Sequence, residues 1–238
     1  MDSNRKTALV AGVLFLITFI TAIPALVLFN TSSVLDADYI VGAGADNQVF
    51  LGAFLELLLI IANIGTAVVL FPILKRQSES LALGYVTARV VECVFIAVGI
   101  LSVLTIVTLQ QDFEGTGGED SAALVIVGEA LVALKDWTFL LGPGFVVGVG
   151  NGLILGYLMY RSGLVPRRIA VLGLVGGPLI CASGIAILFG VFDAGSAWQG
   201  IATIPEFLWE LSLGIYLTVK GFKSSPILSG DTRYVATD

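Results

Sequence analysis

Apolar residues in this chain fall in long blocks rather than in the short alternating runs of strands or the one-sided stripes of soluble helices. Six blocks are long enough to cross a hydrocarbon core of about 30 Å as helices that rise about 1.5 Å per residue. They are Thr7–Phe29, Phe50–Leu74, Leu81–Leu109, Trp137–Tyr160, Ile169–Phe192 and Ile201–Val219. The pattern predicts an all-α polytopic membrane bundle of six transmembrane helices over residues 1–222, followed by a polar tail over residues 223–238.

Positive charges are confined to alternate connections between these blocks. Ten of the twelve Lys and Arg residues fall on one side of a six-crossing path, namely Arg5, Lys6, Lys75, Arg76, Arg161, Arg167, Arg168, Lys220, Lys223 and Arg233. The opposite connections carry Asp36, Asp38, Asp46, Asp112, Glu114, Glu119, Asp120 and Asp193. Cytoplasmic loops are enriched in Lys and Arg, so we predict a plasma-membrane protein with both termini in the cytoplasm. Five or seven crossings would break this separation.

A shorter apolar segment, Ala122–Lys135, lies between the third and fourth blocks and is interrupted by Glu129. We expect it to form an interfacial helix on the outer face, with Trp137 at the level of the lipid headgroups. A re-entrant segment is the alternative. We expect Lys135 to lie at a membrane interface.

The fourth block contains four glycines spaced four residues apart, and the fifth block contains one matching step. They are Gly144, Gly148, Gly152 and Gly156, then Gly173 and Gly177. This spacing lets a second helix approach closely, which predicts tight packing of the fourth helix on the fifth. A phosphate-binding loop is not favoured, because these glycines lie within apolar helices rather than between a strand and a helix.

The composition agrees with a membrane protein and removes several classes of function. Of the 238 residues 57% are hydrophobic and 13% are charged, and the mean hydropathy is +0.98. The absence of His excludes a Ser-His-Asp triad, a His metal site and a His-ligated haem. The net charge of −6 argues against nucleic-acid binding. Cys93 and Cys181 lack metal or redox spacing and are expected to be packing residues. No cofactor or metal is predicted.

Ionisable and amide side chains stand out inside the apolar blocks. The candidate interior polar cluster comprises Glu56, Arg89, Glu92, Glu206 and Glu210, with Asn63 and Asn151. From the helical rise, Glu92 and Glu210 are expected to meet near the midplane. A charge at the bilayer centre costs about 2.5–3.5 kcal/mol, so such residues normally face inward and have partners. We expect Arg89 to hold one ionised Glu, and at least one other Glu to be neutral at pH 7.

Two interpretations of this cluster stay open. In the functional one, it lines a polar cavity and binds a proton, a cation or a small polar ligand, as a transporter or binding protein would. In the structural one, Arg89 extends to the cytoplasmic interface and the Glu residues are hydrogen-bonded pins of a membrane scaffold. An enzyme is not favoured, because without His it would depend on a carboxylate pair such as Glu206 and Glu210, a spacing common by chance. The expected partner is the lipid bilayer, and a homo-oligomer is compatible with the sequence.

Four stretches together resemble the domain of unknown function 4386 family. They are FLELLLIIANIGTAVVLFPILKR, ALGYVTARVVE, KDWTFLLGPGFVVGVGNGLILGYLMYRSGLVPRRIAVLGLVGGP and LWELSLGIYLTVKGF. The resemblance extends from the first block to Phe222. It implies a multipass membrane protein of bacterial type, and it implies neither an activity nor functional residues.

Overall fold

The computed structural model of the chain describes residues 2–42, 44–113 and 121–229. Within these ranges the chain forms six long helices and no strand. The helices are α1 (Ser3–Thr31), α2 (Asp46–Leu74), α3 (Glu79–Phe113), α4 (Ser121–Ser162), α5 (Arg167–Leu188) and α6 (Ala197–Val219). A short 3-10 helix, Ala37–Val41, lies between α1 and α2, and a second one, Pro226–Leu228, follows α6. The prediction of an all-helical bundle is confirmed.

The distribution of polar side chains is that of an integral membrane protein. Large apolar side chains such as Ile20, Ile61 and Leu101 are exposed on the outside of the bundle, whereas Arg89 and Glu206 are buried inside it. Of the helices in the described ranges, the five from α1 to α5 are long and apolar enough to cross a membrane. Helix α6 has a sufficient length of 23 residues, but its glutamates make it less apolar. The chain is therefore a membrane protein with several apolar helices of spanning length.

The segment 122–135 is not a separate helix. Helix α4 runs without a break from Ser121 to Ser162, and it includes two π-helical stretches, Gly142–Val146 and Gly148–Leu155. The prediction of a short independent helix, interfacial or re-entrant, is wrong in this respect. The physical reason is lateral contact: the carbonyl of Leu131 accepts a hydrogen bond of 2.5 Å from the Ser102 hydroxyl of α3, so this half of α4 packs along the bundle.

The helices form a closed ring. Helix α1 packs on α2, α2 on α3, α3 on α4, α4 on α5 through the second π-helical stretch, and α5 on α6. Helix α6 then packs on α1 and completes the ring. At this closure the two backbones are in contact, because a Cβ atom at Gly12 would lie 2.8 Å from the carbonyl oxygen of Gly214.

Both ends of the described chain meet at one end of the bundle, which we call the basic end. The Arg5 guanidinium donates hydrogen bonds to the carbonyls of Leu217 (3.0 Å) and Thr218 (2.8 Å) at the C-terminus of α6. A cation is favourable there because the last carbonyls of a helix carry partial negative charge.

Residues 223–229, predicted as the start of a polar tail, pack against this end of the bundle. The Lys223 amide donates to the Leu164 carbonyl at 2.8 Å, and the Ser225 hydroxyl donates to the Ser162 carbonyl at 2.6 Å. Ile227 and Leu228 contact the apolar core. The rest of the predicted tail, from residue 230, lies outside the described residues.

The opposite end, which we call the acidic end, is tied together by the connection between α1 and α2. The Tyr39 hydroxyl donates to the Asp46 carboxylate at 2.7 Å, and the Gln110 amide of α3 donates to the Gly42 carbonyl at 2.8 Å. Burial raises the pKa of Tyr39, and the neighbouring Asp46 carboxylate raises it further. The acidic residues Glu114, Glu119 and Asp120 lie outside the described residues.

Helices α4 and α5 approach each other through glycine. A Cβ atom at Gly177 would lie 2.6 Å from the carbonyl oxygen of Gly148 and 2.8 Å from the amide nitrogen of Leu153. Gly152 also lies against Gly177, and Gly156 lies against Gly173 and Leu174. Gly144 places its carbonyl oxygen 3.5 Å from a Cβ atom at Gly184, whereas Gly173 also faces the Trp209 ring of α6.

A methyl group at this contact tests the packing. We expect Gly177→Ala to lower the melting temperature of the detergent-solubilised protein, because backbone atoms must move and overpacking typically costs about 1–3 kcal/mol. Gly200→Ala is the matched control: it also lies in a helix, nothing lies within 4 Å of its Cβ position, and alanine is the better helix former. Melting temperatures that do not differ between the two variants would contradict the proposed contact. Melting is followed by size-exclusion chromatography after heating.

Candidate functional site

The site is organised around the buried Arg89 guanidinium of α3. Its Nη1 donates a hydrogen bond to Glu92 Oε2 at 2.8 Å, one turn along the same helix, and its Nη2 donates to Glu210 Oε1 of α6 at 3.1 Å. The guanidinium also lies 5.7 Å from the centre of the Phe15 ring of α1. Arg89 is only 2% exposed, so the interpretation in which it extends to the cytoplasmic interface is wrong. Two local carboxylates balance its charge and remove the need to reach water.

Two amides add hydrogen bonds to these carboxylates. Asn63 of α2 donates to Glu92 Oε1 at 3.1 Å, and Asn151 of α4 donates to Glu210 Oε1. Asn151 lies in the second π-helical stretch, and its backbone carbonyl accepts a hydrogen bond of 3.0 Å from the Trp209 indole. The Arg89 cluster, by which we mean Arg89, Glu92, Glu210, Asn63 and Asn151, therefore connects α2, α3, α4 and α6.

Glu206 lies beside this cluster without bonding to it. It precedes Glu210 by one turn on α6, is 3% exposed, and neither of its carboxyl oxygens has a hydrogen-bond partner. Its Oε2 would lie 2.6 Å from a Cβ atom at Gly152 and 2.8 Å from one at Gly176. The carboxyl group is therefore held against the glycine backbones of α4 and α5.

The position of the two α6 acids along the helix places them at mid-depth. Glu206 is nine residues after Ala197 and Glu210 is nine residues before Val219, so each lies about 14 Å from the nearer helix end. Access to water is poorest at this depth of an apolar bundle. Unpaired polar groups therefore have their highest energetic cost there.

Glu56 is not part of the Arg89 cluster. Both of its carboxylate oxygens accept hydrogen bonds of 2.8 Å from Lys135 of α4, whose ammonium group lies 4.7 Å from the centre of the Phe29 ring. Glu56 and Lys135 are 9% and 7% exposed, so the prediction that Lys135 lies at the membrane interface is wrong. Lys135 packs against Gly99, ten residues or about 15 Å beyond Arg89 along α3.

The sequence contained a signal for this second pair. Besides Arg89, Lys135 is the one cation outside the connections of the basic end, and an acid inside an apolar helix needs a cation. The interpretation of residues 122–135 as an interfacial helix places Lys135 away from Glu56 and does not predict the pair. Sequence reasoning also missed Tyr85, which is buried one turn before Arg89 and shares a 3.2 Å hydrogen bond with the Thr66 hydroxyl.

The two cysteines and the acidic residues of the site are the candidates for metal or redox ligands. Cys93 and Cys181 are free, and each thiol donates a weak hydrogen bond to a backbone carbonyl, of Ile60 and Phe145 respectively. In the part of the chain that the structure describes, no group of three or more His, Cys, Asp and Glu residues is placed to hold a metal ion. The arrangement offers carboxyl, guanidinium and amide groups for proton exchange or polar recognition.

The Glu56–Lys135 pair can be tested by removing the charge of one residue alone and then the charges of both residues together. Lys135→Met leaves the Glu56 carboxylate buried without a cation, and breaking a buried pair in this way typically costs about 3–5 kcal/mol. We expect a large fall in melting temperature for Lys135→Met and recovery of most of it in the double variant Glu56→Gln/Lys135→Met, which leaves no buried charge. A double variant as unstable as the sum of the single changes would show that the pair is not coupled.

The comparisons with known proteins agree with this description of the chain. A family model described as Domain of unknown function (DUF4386) matches residues 10–221, a range that includes the Arg89 cluster, the Glu56–Lys135 pair and the greater part of each long helix. No curated protein and no solved structure matches the chain. The chain belongs to the DUF4386 family of domains of unknown function.

Proposed function

We propose that this protein crosses the membrane six times, with both termini in the cytoplasm, and binds a proton or a small polar solute at Glu206 and the adjoining Arg89 cluster. Helix α6 supports the sixth crossing because it has 23 residues, completes the ring on α1, and turns Glu206 inward. The basic end carries the cations, and the positive-inside rule assigns that end to the cytoplasm.

Impermeant thiol labelling tests the topology. In a variant lacking Cys93 and Cys181, single cysteines are introduced by Ala194→Cys, between α5 and α6 at the acidic end, and by Ser229→Cys at the basic end; both sites are exposed. In right-side-out membrane vesicles we expect a membrane-impermeant maleimide to label position 194 at once and position 229 only after lysis. If α6 did not cross, both positions would lie on the same side and would be labelled together.

The observation that carries the functional proposal is the unequal bonding of the carboxyl groups. Glu92 and Glu210 accept bonds from Arg89 and from amides, whereas the buried Glu206 accepts none. Arg89 Nε and Asn151 Oδ1 of the cluster also have no hydrogen-bond partner, but of these three carboxyl groups Glu206 is the one in which both buried oxygens are unpartnered, and such a group is costly unless it carries a proton or meets a ligand. Ionisable groups inside membrane helices commonly mark ion, proton or substrate sites.

A scaffold without turnover is the second candidate, and one observation favours it. The Arg89 cluster joins four helices by side-chain hydrogen bonds, so it can determine how the bundle assembles. In that case the carboxyl groups only hold the helices together by hydrogen bonds, and a neutral amide of the same shape would stabilise the bundle nearly as well.

Glutamine substitutions separate the two candidates. Glu92→Gln, Glu206→Gln and Glu210→Gln are compared with Glu129→Gln, an exposed acid of α4, in liposomes that contain a pH-sensitive dye. Folded yield is scored separately from proton entry and from melting-temperature shifts with a panel of amino acids, sugars and quaternary amines. If the site is functional, at least one of the variants at Glu92, Glu206 and Glu210 should fold but lose about tenfold or more in proton entry or in apparent solute affinity. A tenfold loss of affinity is equivalent to about 1.4 kcal/mol. Unchanged responses in all folded variants would leave only the scaffold.

A further inference from the structure

We propose that Glu206 is the group of this site that takes up and releases a proton, and that a proton rather than a solute molecule is the ligand. This inference rests on the proposed function and narrows it to one ligand and one residue. It is carried by the bonding capacity of the three carboxyl groups, the space around Glu206, and the polar groups on either side of it.

Bonding capacity distinguishes the carboxyl groups. Glu92 uses one oxygen for Arg89 and the other for Asn63, and Glu210 accepts from both Arg89 and Asn151 through Oε1. These donors are N–H groups that cannot accept a proton, and a proton on either carboxylate would weaken its hydrogen bond with the Arg89 guanidinium. Glu206 has neither a donor nor a direct ion pair, so both of its oxygens are free to hold a proton.

The space around Glu206 excludes a larger ligand. Oε2 is so close to the backbones of Gly152 and Gly176 that a methyl group on either glycine would lie within 2.8 Å of it. The backbone nitrogen and Cα of Glu206 would be equally close to a methyl group at Gly176. A hydrated cation or an organic solute needs several contacts and a volume of its own, whereas a proton needs only a lone pair.

The charged groups that act on Glu206 are Arg89 and Glu92 on α3 and Glu210 on its own helix, and the thiol of Cys181 on α5 also lies near it. Burial and the two carboxylates disfavour a negative charge at Glu206, whereas the Arg89 guanidinium favours one. With Glu92 and Glu210 ionised, one cation faces two anions, so the Arg89 cluster already carries a net negative charge. A third anion at Glu206 would therefore add repulsion in a medium of low polarity.

Polar side chains continue from Glu206 toward both ends of the bundle. Toward the basic end, the series passes through Glu210 and Arg89 to the hydrogen-bonded hydroxyls of Tyr85 and Thr66. Toward the acidic end, Ser183 of α5 is buried with an unpaired hydroxyl, seven residues or about 10 Å beyond Gly176. Release of the proton breaks the O–H bond of the acid, transfers H⁺ to a water molecule as H₃O⁺, and leaves one negative charge on Glu206.

Infrared difference spectroscopy on the full-length protein tests this assignment. The protein is reconstituted in vesicles of phosphatidylethanolamine and phosphatidylglycerol, and spectra are recorded above about pH 5, where exposed carboxyl groups are already ionised. We expect a carboxylic-acid carbonyl band in the wild type that disappears at alkaline pH and shifts in D₂O. It should be absent from Glu206→Gln and present in the exposed control Glu129→Gln. Glu206→Asp keeps a carboxyl group and should retain a carbonyl band at a changed frequency. This frequency shift assigns the band to position 206 if Glu206→Gln does not fold.

The outcomes separate this inference from the function on which it rests. A band that persists in folded Glu206→Gln and is lost in Glu210→Gln or Glu92→Gln overturns the assignment to Glu206 but leaves a proton site in the cluster. A wild type without any such band overturns proton binding. In that case a melting-temperature shift with a polar solute would preserve the proposed function in its solute form, and no shift with any solute would end both.

Discussion

The structure depends on the need to balance one guanidinium that water does not reach. Arg89 remains protonated under all ordinary conditions, and an isolated charge at this depth would cost several kcal/mol. One carboxylate from its own helix and one from α6 satisfy it. Of the long helices in the described ranges, α6 is the one that is not apolar enough to cross a membrane by composition, and the bond from Arg89 to Glu210 helps to hold it in the ring.

The same bonds explain why α4 departs from regular α-helical geometry. The second π-helical stretch brings the Asn151 side chain to Glu210, and the Asn151 carbonyl accepts the Trp209 indole bond. π-helical turns are rare and are often found at functional sites. Here the wider turn also carries Gly148 and Gly152, whose lack of side chains lets α5 approach and encloses Glu206. Packing and chemistry are therefore coupled in one stretch of helix.

Three buried acids in the part of the bundle that the structure describes are held by a cation, in two separate arrangements, and a fourth acid is not held. Glu56 has its own lysine, Glu92 and Glu210 share one arginine, and Glu206 has no cation within bonding distance. In the first two arrangements each carboxylate has a cation within bonding distance, and the pairs contribute to helix assembly. Glu206 is left as a group whose charge state depends on its surroundings, which is the property that a site of exchange requires.

The sequence alone determined the helical class, the apolar blocks, the family and the set of acids and amides inside the helices. It also predicted that Glu92 and Glu210 lie at similar depth, because the rise per residue converts position along a helix into depth. Only the tertiary structure decided that Glu56 pairs with Lys135, that α4 is continuous, and that Glu206 is, among the described residues, a buried acid whose oxygens have no hydrogen-bond partner. The rise per residue determines the depth of a side chain but not the rotation of its helix or the identity of the neighbouring helices. A hydropathy average lowers the apolar score at Lys135 in the same way whether its ammonium group faces water or a carboxylate.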